Sequence, residues 1–208
     1  MARPRIHQHV NPLARYFRQL PIEPLKLSNV FENPQAPIHI DLGCGRGRFL
    51  QMMATERPGW NFLGIEIREP LVIAANETAE EEGLRNLYYS FCNAPLDLGK
   101  LLVETPSEKV SLVTIQFPDP WFKKRHAKRR MVNEQLVRFV KENLATDGLV
   151  FIQTDVEELD QEMEEYFVDG GFSVKKLNEN PMPVKTEREI SVENRSLPVY
   201  RKEYRVVG

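Results

Sequence analysis

The sequence predicts an α/β protein with a doubly wound, mostly parallel seven-stranded sheet and an antiparallel C-terminal strand. Three observations carry this. A β-branched run, Ile38-His39-Ile40-Asp41-Leu42, meets glycines at alternate positions, Gly43, Gly45 and Gly47, and a helical pattern follows. A second apolar run, Trp60 to Glu66, ends on an acid 25 residues after Asp41. Apolar runs and helix-period segments then alternate as far as Leu177, the pattern of parallel strands joined by crossover helices.

Residues 1–37 hold Arg3, Arg5, Arg15 and Arg18, several prolines and the pair Tyr16-Phe17, and read as a basic arm, partly helical near Asn11–Leu20. The domain proper spans 38–208. Its first crossover helix is expected over Arg48–Thr55, stopped at Arg57-Pro58-Gly59. The next covers Pro70–Glu82, where Leu71, Ala74, Ala75 and Thr78 share a face and Gly83 ends the helix. Asn86–Phe91 is a third strand, 95–105 a leucine-bearing helix or loop, and Val110–Gln116 a fourth strand. A helix over Val132–Asn143 ends near Asp147-Gly148, and Leu149–Thr154 is strand five. An acidic helix over Val156–Val168 stops at Gly170-Gly171 and leads to Phe172–Leu177. The tail offers a polar loop from Thr186 and a last strand, Val199–Val207, expected antiparallel to strand six. No internal repeat or linker interrupts this order.

A strand running into a glycine loop builds a nucleotide pocket beyond the sheet's strand ends. A dinucleotide fingerprint counted from Gly43 needs its third glycine at position 48, which is Arg48; the glycine falls one residue early. Asp41 lies where a pyrophosphate would pass and repels it, whereas it suits a ligand carrying an ammonium and a sulfonium. The loop therefore favours S-adenosylmethionine over NAD. Glu66, at the end of the second strand, is placed to accept from a ribose diol.

The chain has 208 residues, 41% hydrophobic and 28% charged, which suits one globular domain. No apolar run is long enough for a membrane span, and nothing reads as a signal peptide. Two cysteines, Cys44 and Cys92, point to reduced thiols and a cytoplasmic protein. The four histidines show no metal spacing, so no metal is expected. The net charge of −2 conceals an asymmetry. Lys123, Lys124, Arg125, Lys128, Arg129 and Arg130 place six cations in eight residues, leaving the rest of the chain eight charges negative. One basic patch on an acidic body implies a localised anionic partner.

That patch follows Phe117-Pro118-Asp119-Pro120-Trp121-Phe122, where two prolines hold Asp119 at the ligand edge of the sheet. Basic residues neutralise phosphates, and an aromatic either stacks on a base or supports its loop; Trp121 reads as the supporting kind.

The Asp41-x-Gly43-x-Gly45-x-Gly47 loop, Pro118-Asp119-Pro120-Trp121 with its basic continuation, Thr154-Asp155, Thr186-Glu187-Arg188-Glu189 and Pro198-Val199-Tyr200-Arg201 together resemble the bacterial tRNA (guanine-N7-)-methyltransferases. The resemblance runs from about residue 38 to 205. It implies a Rossmann-like methyltransferase fold, S-adenosyl-L-methionine as methyl donor, tRNA as partner and a variable-loop guanine as target. Carried over, Asp41, Gly43, Gly45, Glu66, Asn93 and Asp119 are cofactor residues, with Asn93 where the family has an acid near the adenine. Asp119 is the catalytic acid; Lys123, Asp155, Thr186, Glu187, Arg188 and Glu189 meet the substrate. Lys124, Arg125, His126, Lys128, Arg129 and Arg130 contact RNA. Two departures stand out: Phe122 replaces a proline, and Ser196-Leu197 lacks the glycine before Pro198. A methyltransferase for another RNA or a small molecule, and an RNA binder without catalysis, are the rival readings. The oligomeric state stays open between monomer and homodimer.

Overall fold

A computed structural model describes residues 10–208, so Arg3, Arg5 and two of the four histidines, His7 and His9, lie outside the described residues. The elements run α1 (Leu27–Val30), β1 (Ile38–Leu42), α2 (Arg48–Glu56), β2 (Asn61–Glu66), α3 (Glu69–Glu81), β3 (Leu87–Phe91), α4 (Ala94–Leu101), β4 (Val110–Gln116), α5 (Glu134–Asn143), β5 (Leu144–Thr154), α6 (Glu157–Asp169), β6 (Phe172–Leu177), α7 (Glu187–Glu193) and β7 (Tyr200–Val206). One seven-stranded sheet has the order β3-β2-β1-β4-β5-β7-β6. The β1–β2, β1–β4, β2–β3 and β4–β5 pairs are parallel. As expected, β7 is antiparallel to β6; it also inserts between β6 and β5 and is antiparallel to both.

All five residues of β1 and all six of β2 are buried, as strands covered on both faces must be. Successive residues of β2 divide between two cores. Phe62 joins Phe49, Leu50 and Met53 of α2 and Val72, Ala75 and Ala79 of α3. Leu63 and Ile65 join the larger cluster, with Leu98 of α4, Leu136 and Val140 of α5, and Met163 and Phe167 of α6. This is a three-layer sandwich, and the period-2 division of the strands is what feeds both layers.

The structure departs from expectation in four places. The segment near Asn11–Leu20 forms turns, with Ala14 N–H to Asn11 O at 3.0 Å and Gln19 N–H to Tyr16 O at 3.2 Å, not a helix. Residues 20–37, expected in the arm, pack on the body: Leu20 and Phe31 are buried, and Leu25 N–H reaches Leu101 O at 2.7 Å. Asp147-Gly148 does not separate α5 from β5. It lies in an irregularity of the strand, where Val110 pairs with Leu144 but Leu112 with Leu149, so the extra residues bulge out. The polar tail holds a helix, α7, whose N-cap Thr186 accepts from Glu189 N–H at 3.0 Å. Thr186-x-x-Glu189 is a helix-start pattern, and that signal was present in the sequence.

Candidate active site

Strand order reverses between β1 and β4, and the crevice beyond the strand ends at such a point is where open α/β sheets bind ligands. A cavity of about 580 Å³ lies there, lined by Gly43 after β1, Glu66 at the end of β2 and Arg68 beyond it, Asn93 after β3, Gln116 at the end of β4, and Asp119 and Phe122 beyond it. Asp155, Arg188, Arg129 and Met131 also line it, as do Val10 and Pro12.

The glycine loop is held open for two different reasons. Gly43 and Gly47 have φ of 81° and 79°, which side-chain-bearing residues avoid. A Cβ on Gly47 would lie 2.5 Å from Cζ of Tyr89, whose hydroxyl donates to Gly47 O at 2.7 Å, so this glycine makes room for a tyrosine beneath the loop. Gly43, in contrast, lines the cavity and leaves its backbone bare toward it.

The acids around the loop are strongly constrained. Asp41 is 4% exposed and does not line the cavity; its Oδ1 accepts from Thr114 Oγ1 at 2.6 Å. Burial pushes its carboxyl up to about 6, with nearby Glu66 adding to the rise and the Thr114 hydrogen bond opposing it. Since that hydroxyl proton goes to Asp41, Nε2 of His39, 2.9 Å away, must donate to Thr114 Oγ1. Burial, aided by Arg57, lowers His39 to about 3, so the ring is neutral and can play that part. Glu66 is fully engaged: Gly45 N–H donates to Oε2 at 3.0 Å, Arg68 N–H to Oε1 at 3.0 Å, and the Arg68 guanidinium to both oxygens at 2.9 Å. The bond to Glu66 in turn raises Arg68. Arg68 escaped the sequence reading; its signal is a base two residues beyond the strand-end acid.

Asn93 is 1% exposed, and its amide ties the N-terminal segment down, donating to Pro12 O at 2.9 Å and Phe17 O at 3.1 Å. Its Oδ1 is buried with no hydrogen-bond partner among the described residues. A buried amide oxygen in that state is an acceptor awaiting a donor.

Asp119 projects from a loop bracketed by Phe117 and Trp121, both left-handed at φ of 50° and 46°. Such backbone costs about 1–3 kcal/mol per residue and persists only where the surroundings enforce it. Arg130 supplies part of that enforcement. Only 7% exposed, it donates from Nε to Pro120 O at 2.8 Å and pairs with Glu158 and Glu162 of α6. Arg130 is thus a brace for the loop and not an open RNA contact, a correction to its place in the basic patch. Lys123, Lys124, Arg125 and Lys128 are exposed on and before the 3-10 helix Lys124–Arg129. Arg129 sits over the Trp121 ring at 5.0 Å, and His126 meets its edge at 5.8 Å, so Trp121 supports the loop.

The segment Thr186 to Glu189 divides sharply. Arg188 lines the cavity and pairs with Asp155 at 2.5 Å. Thr186 caps α7, and Glu187 pairs with Arg48 of α2. Glu189 is 0% exposed and binds Arg201 at 2.9 Å, Gln153 at 3.1 Å and Asn180 at 2.7 Å. Neither Thr186, Glu187, Glu189 nor Lys123 lines the cavity. Among the described residues, no group of three or more His, Cys, Asp or Glu is placed to hold a metal, and no helix is long and apolar enough to cross a membrane.

A family model described as "Putative methyltransferase" matches residues 35–202. A tRNA (guanine-N(7)-)-methyltransferase of Trichormus variabilis is 50% identical over 203 residues, 95% of this chain and 94% of that protein. One of Synechococcus elongatus is 51% identical over 205 residues, 97% and 96% of the two chains. The crystal structure of a precorrin-6y C5,15-methyltransferase from Geobacter metallireducens covers 83% of this chain and 81% of its own at a TM-score of 0.57 and 14% identity, a likeness of fold alone. With the family model and relatives of that identity agreeing over nearly the whole length, this chain belongs to the tRNA (guanine-N7-)-methyltransferase family.

Proposed function

We propose that this protein transfers a methyl group from S-adenosyl-L-methionine to N7 of a guanine in the variable loop of tRNA. The observation that carries the reading is that Asp119, on its braced loop, lines the same cavity as Gly43, Glu66 and Asn93.

The lining fits the methyl donor. Asn93 lines the cavity and carries a buried amide oxygen without a partner among the described residues, which an adenine amino group would satisfy once the side chain turns toward the ligand. Glu66 would accept from the ribose diol in place of one of its Arg68 bonds. Gly43 and Gly45 would hold the methionine portion, and Asp41, next to the cavity residue Leu42, would act on its ammonium by charge. When bound, the donor supplies an electrophilic methyl on a sulfonium.

Guanine N7 offers a lone pair in the major groove and needs no deprotonation, so the protein requires no general base. Its task is to hold N7 in line with the methyl, and such positioning is worth roughly 7–11 kcal/mol in favourable cases. Asp119 accepts from the guanine N1–H and N2–H₂ edge, which orients the ring and offsets the positive charge that alkylation creates. The guanosine has to leave its stack to reach Asp119. Lys123, Asp155 and Arg188 meet the substrate beside it, while Lys124, Arg125, His126, Lys128 and Arg129 hold the flanking backbone. The protein acts in the cytoplasm as a monomer or homodimer.

The test is to incubate the protein with tRNA and methyl-labelled donor and to map the labelled nucleotide. Label on N7 of one variable-loop guanine is expected; label elsewhere, or none, overturns the reading.

A further inference from the structure

Phe122 lines the cavity without a role in the reaction described above, and its position is unusual. At 71% exposure it is the most exposed large apolar side chain among the described residues. It belongs to neither hydrophobic core, and it lines the mouth of the cavity three residues after Asp119. Its neighbour Trp121, the obvious aromatic candidate for stacking, is engaged by Arg129 and His126. Phe122 is thus the aromatic of this loop that faces solvent.

The surroundings say what a partner on this ring must be. No acid occurs between Asp119 and Glu134, and Lys123, Lys124, Arg125 and Lys128 are exposed around it. An apolar ring among cations suits a partner that is anionic along its backbone and presents flat π-faces, which is a single strand of nucleic acid. The target guanine itself has to pass inward to Asp119, so the ring at the rim meets the next base along. We propose that Phe122 is a stacking platform for a base adjacent to the target guanosine, holding the strand at the point where it turns into the cavity. Stacking there fixes the neighbour, so the guanosine is presented to Asp119 with less freedom to lose. The inference rests on the functional reading above and adds a substrate-positioning contact to it.

Methylation of tRNA by Phe122→Ala, Phe122→Leu, Phe122→Tyr and Phe122→Trp tests it. The Ala and Leu variants should raise the KM for tRNA about 5- to 150-fold, the range that loss of one stacked base gives. The Tyr and Trp variants should stay within about 2-fold of wild type, and the KM for the methyl donor should not move. Since stacking releases no counterions, the salt dependence of tRNA binding should keep its slope in all four. An abasic nucleotide beside the target guanosine should cost wild type about as much as Phe122→Leu, with little further loss when the two are combined. A Leu variant equal to wild type, or losses that simply multiply, overturns the platform while leaving the reaction in place. Wild-type protein that fails to methylate tRNA overturns the functional reading, and the platform with it.

Discussion

The two walls of the cavity are built on opposite terms. On the side of β1 to β3 the polar groups are buried and held in place: Asp41 by Thr114, Glu66 by Gly45 and Arg68, and the Asn93 amide nitrogen by Pro12 and Phe17, which leaves its oxygen unpartnered among the described residues. The loop after β4 keeps its backbone rigid but turns Lys123, Lys124, Arg125 and Lys128 to solvent. A wall of prearranged groups recognises a small ligand of fixed shape. Exposed cations on a stiff frame suit a large polyanion whose charge is certain and whose local shape is not. Asp119 stands where the two walls meet, so each wall should be separable from the other by substitution.

The largest effect should come from that junction. Asp119→Ala removes an interaction that strengthens as charge develops on the guanine, and kcat should fall about 10²- to 10³-fold. Equilibrium binding of tRNA should stay within about 2-fold, because the exposed cations are untouched. Single-turnover methylation and filter binding on the same preparation measure both. A parallel collapse of tRNA binding would mean that the walls are not independent.

Next comes Glu189, which the resemblance assigned to the substrate and which the fold buries at 0% exposure against Arg201. Breaking a buried pair costs about 3–5 kcal/mol, and here Glu193 still holds Arg201 at 2.7 Å, which keeps the cost near 3 kcal/mol. For a domain of this size Glu189→Ala should lower Tm by about 6–12 °C. If Glu189 serves α7 and not the substrate, kcat and KM of the folded fraction well below Tm should be nearly unchanged. Kinetic loss without a Tm shift would return it to the substrate side.

These two residues also show what the sequence can and cannot disclose. The first wall was legible because its parts are contiguous: Asp41, Gly43, Gly45 and Gly47 fall within seven residues, and Glu66 closes the adjacent strand. The succession of strands one to six along the chain was legible in their alternation with helices, whereas their order in the sheet, with β7 between β5 and β6, was not. The second wall depends on contacts remote in sequence, Arg130 with Glu158, Asp155 with Arg188, Glu189 with Arg201. No local pattern separates a cation that braces a loop from one that meets RNA, so Arg130 read like its five neighbours until α6 was packed beneath it. The departures were informative too. Ser196, in the Ser196-Leu197 pair that lacks the glycine before Pro198, sits at φ of 53°, the region that glycine favours, so a strained serine holds the backbone there.

A smaller effect should appear with pH on the first wall. Asp41 titrates near 6 in the folded chain, above its ordinary value, so the folded state holds that proton more tightly than the unfolded state. The stability this contributes is present below about pH 4 and is lost as pH rises through 6. The ionised form, which the methyl donor's ammonium favours, gains on the same rise. Donor affinity should therefore increase about 3- to 10-fold from pH 5 to pH 7, while the ligand-free protein loses stability relative to Asp41→Asn. Calorimetric titration at both pH values, with Asp41→Asn as the flat reference, checks the sign. Affinity that falls as pH rises would show that the donor does not sense this carboxylate.

The smallest effects belong to single cations on the second wall. An exposed lysine that meets a phosphate contributes one counterion release, so Lys124→Ala or Lys128→Ala should weaken tRNA binding only about 2- to 5-fold. The more diagnostic quantity is the slope of log Kd against log salt, which should drop by about one for each lysine that touches phosphate. Arg130→Ala is the informative contrast. Its guanidinium is held by Pro120 O, Glu158 and Glu162, so it should leave the slope alone and lower kcat by loosening the loop that carries Asp119. A slope that changed with Arg130 and not with Lys124 or Lys128 would exchange their roles, and the wall of exposed cations would have to be drawn elsewhere on the surface.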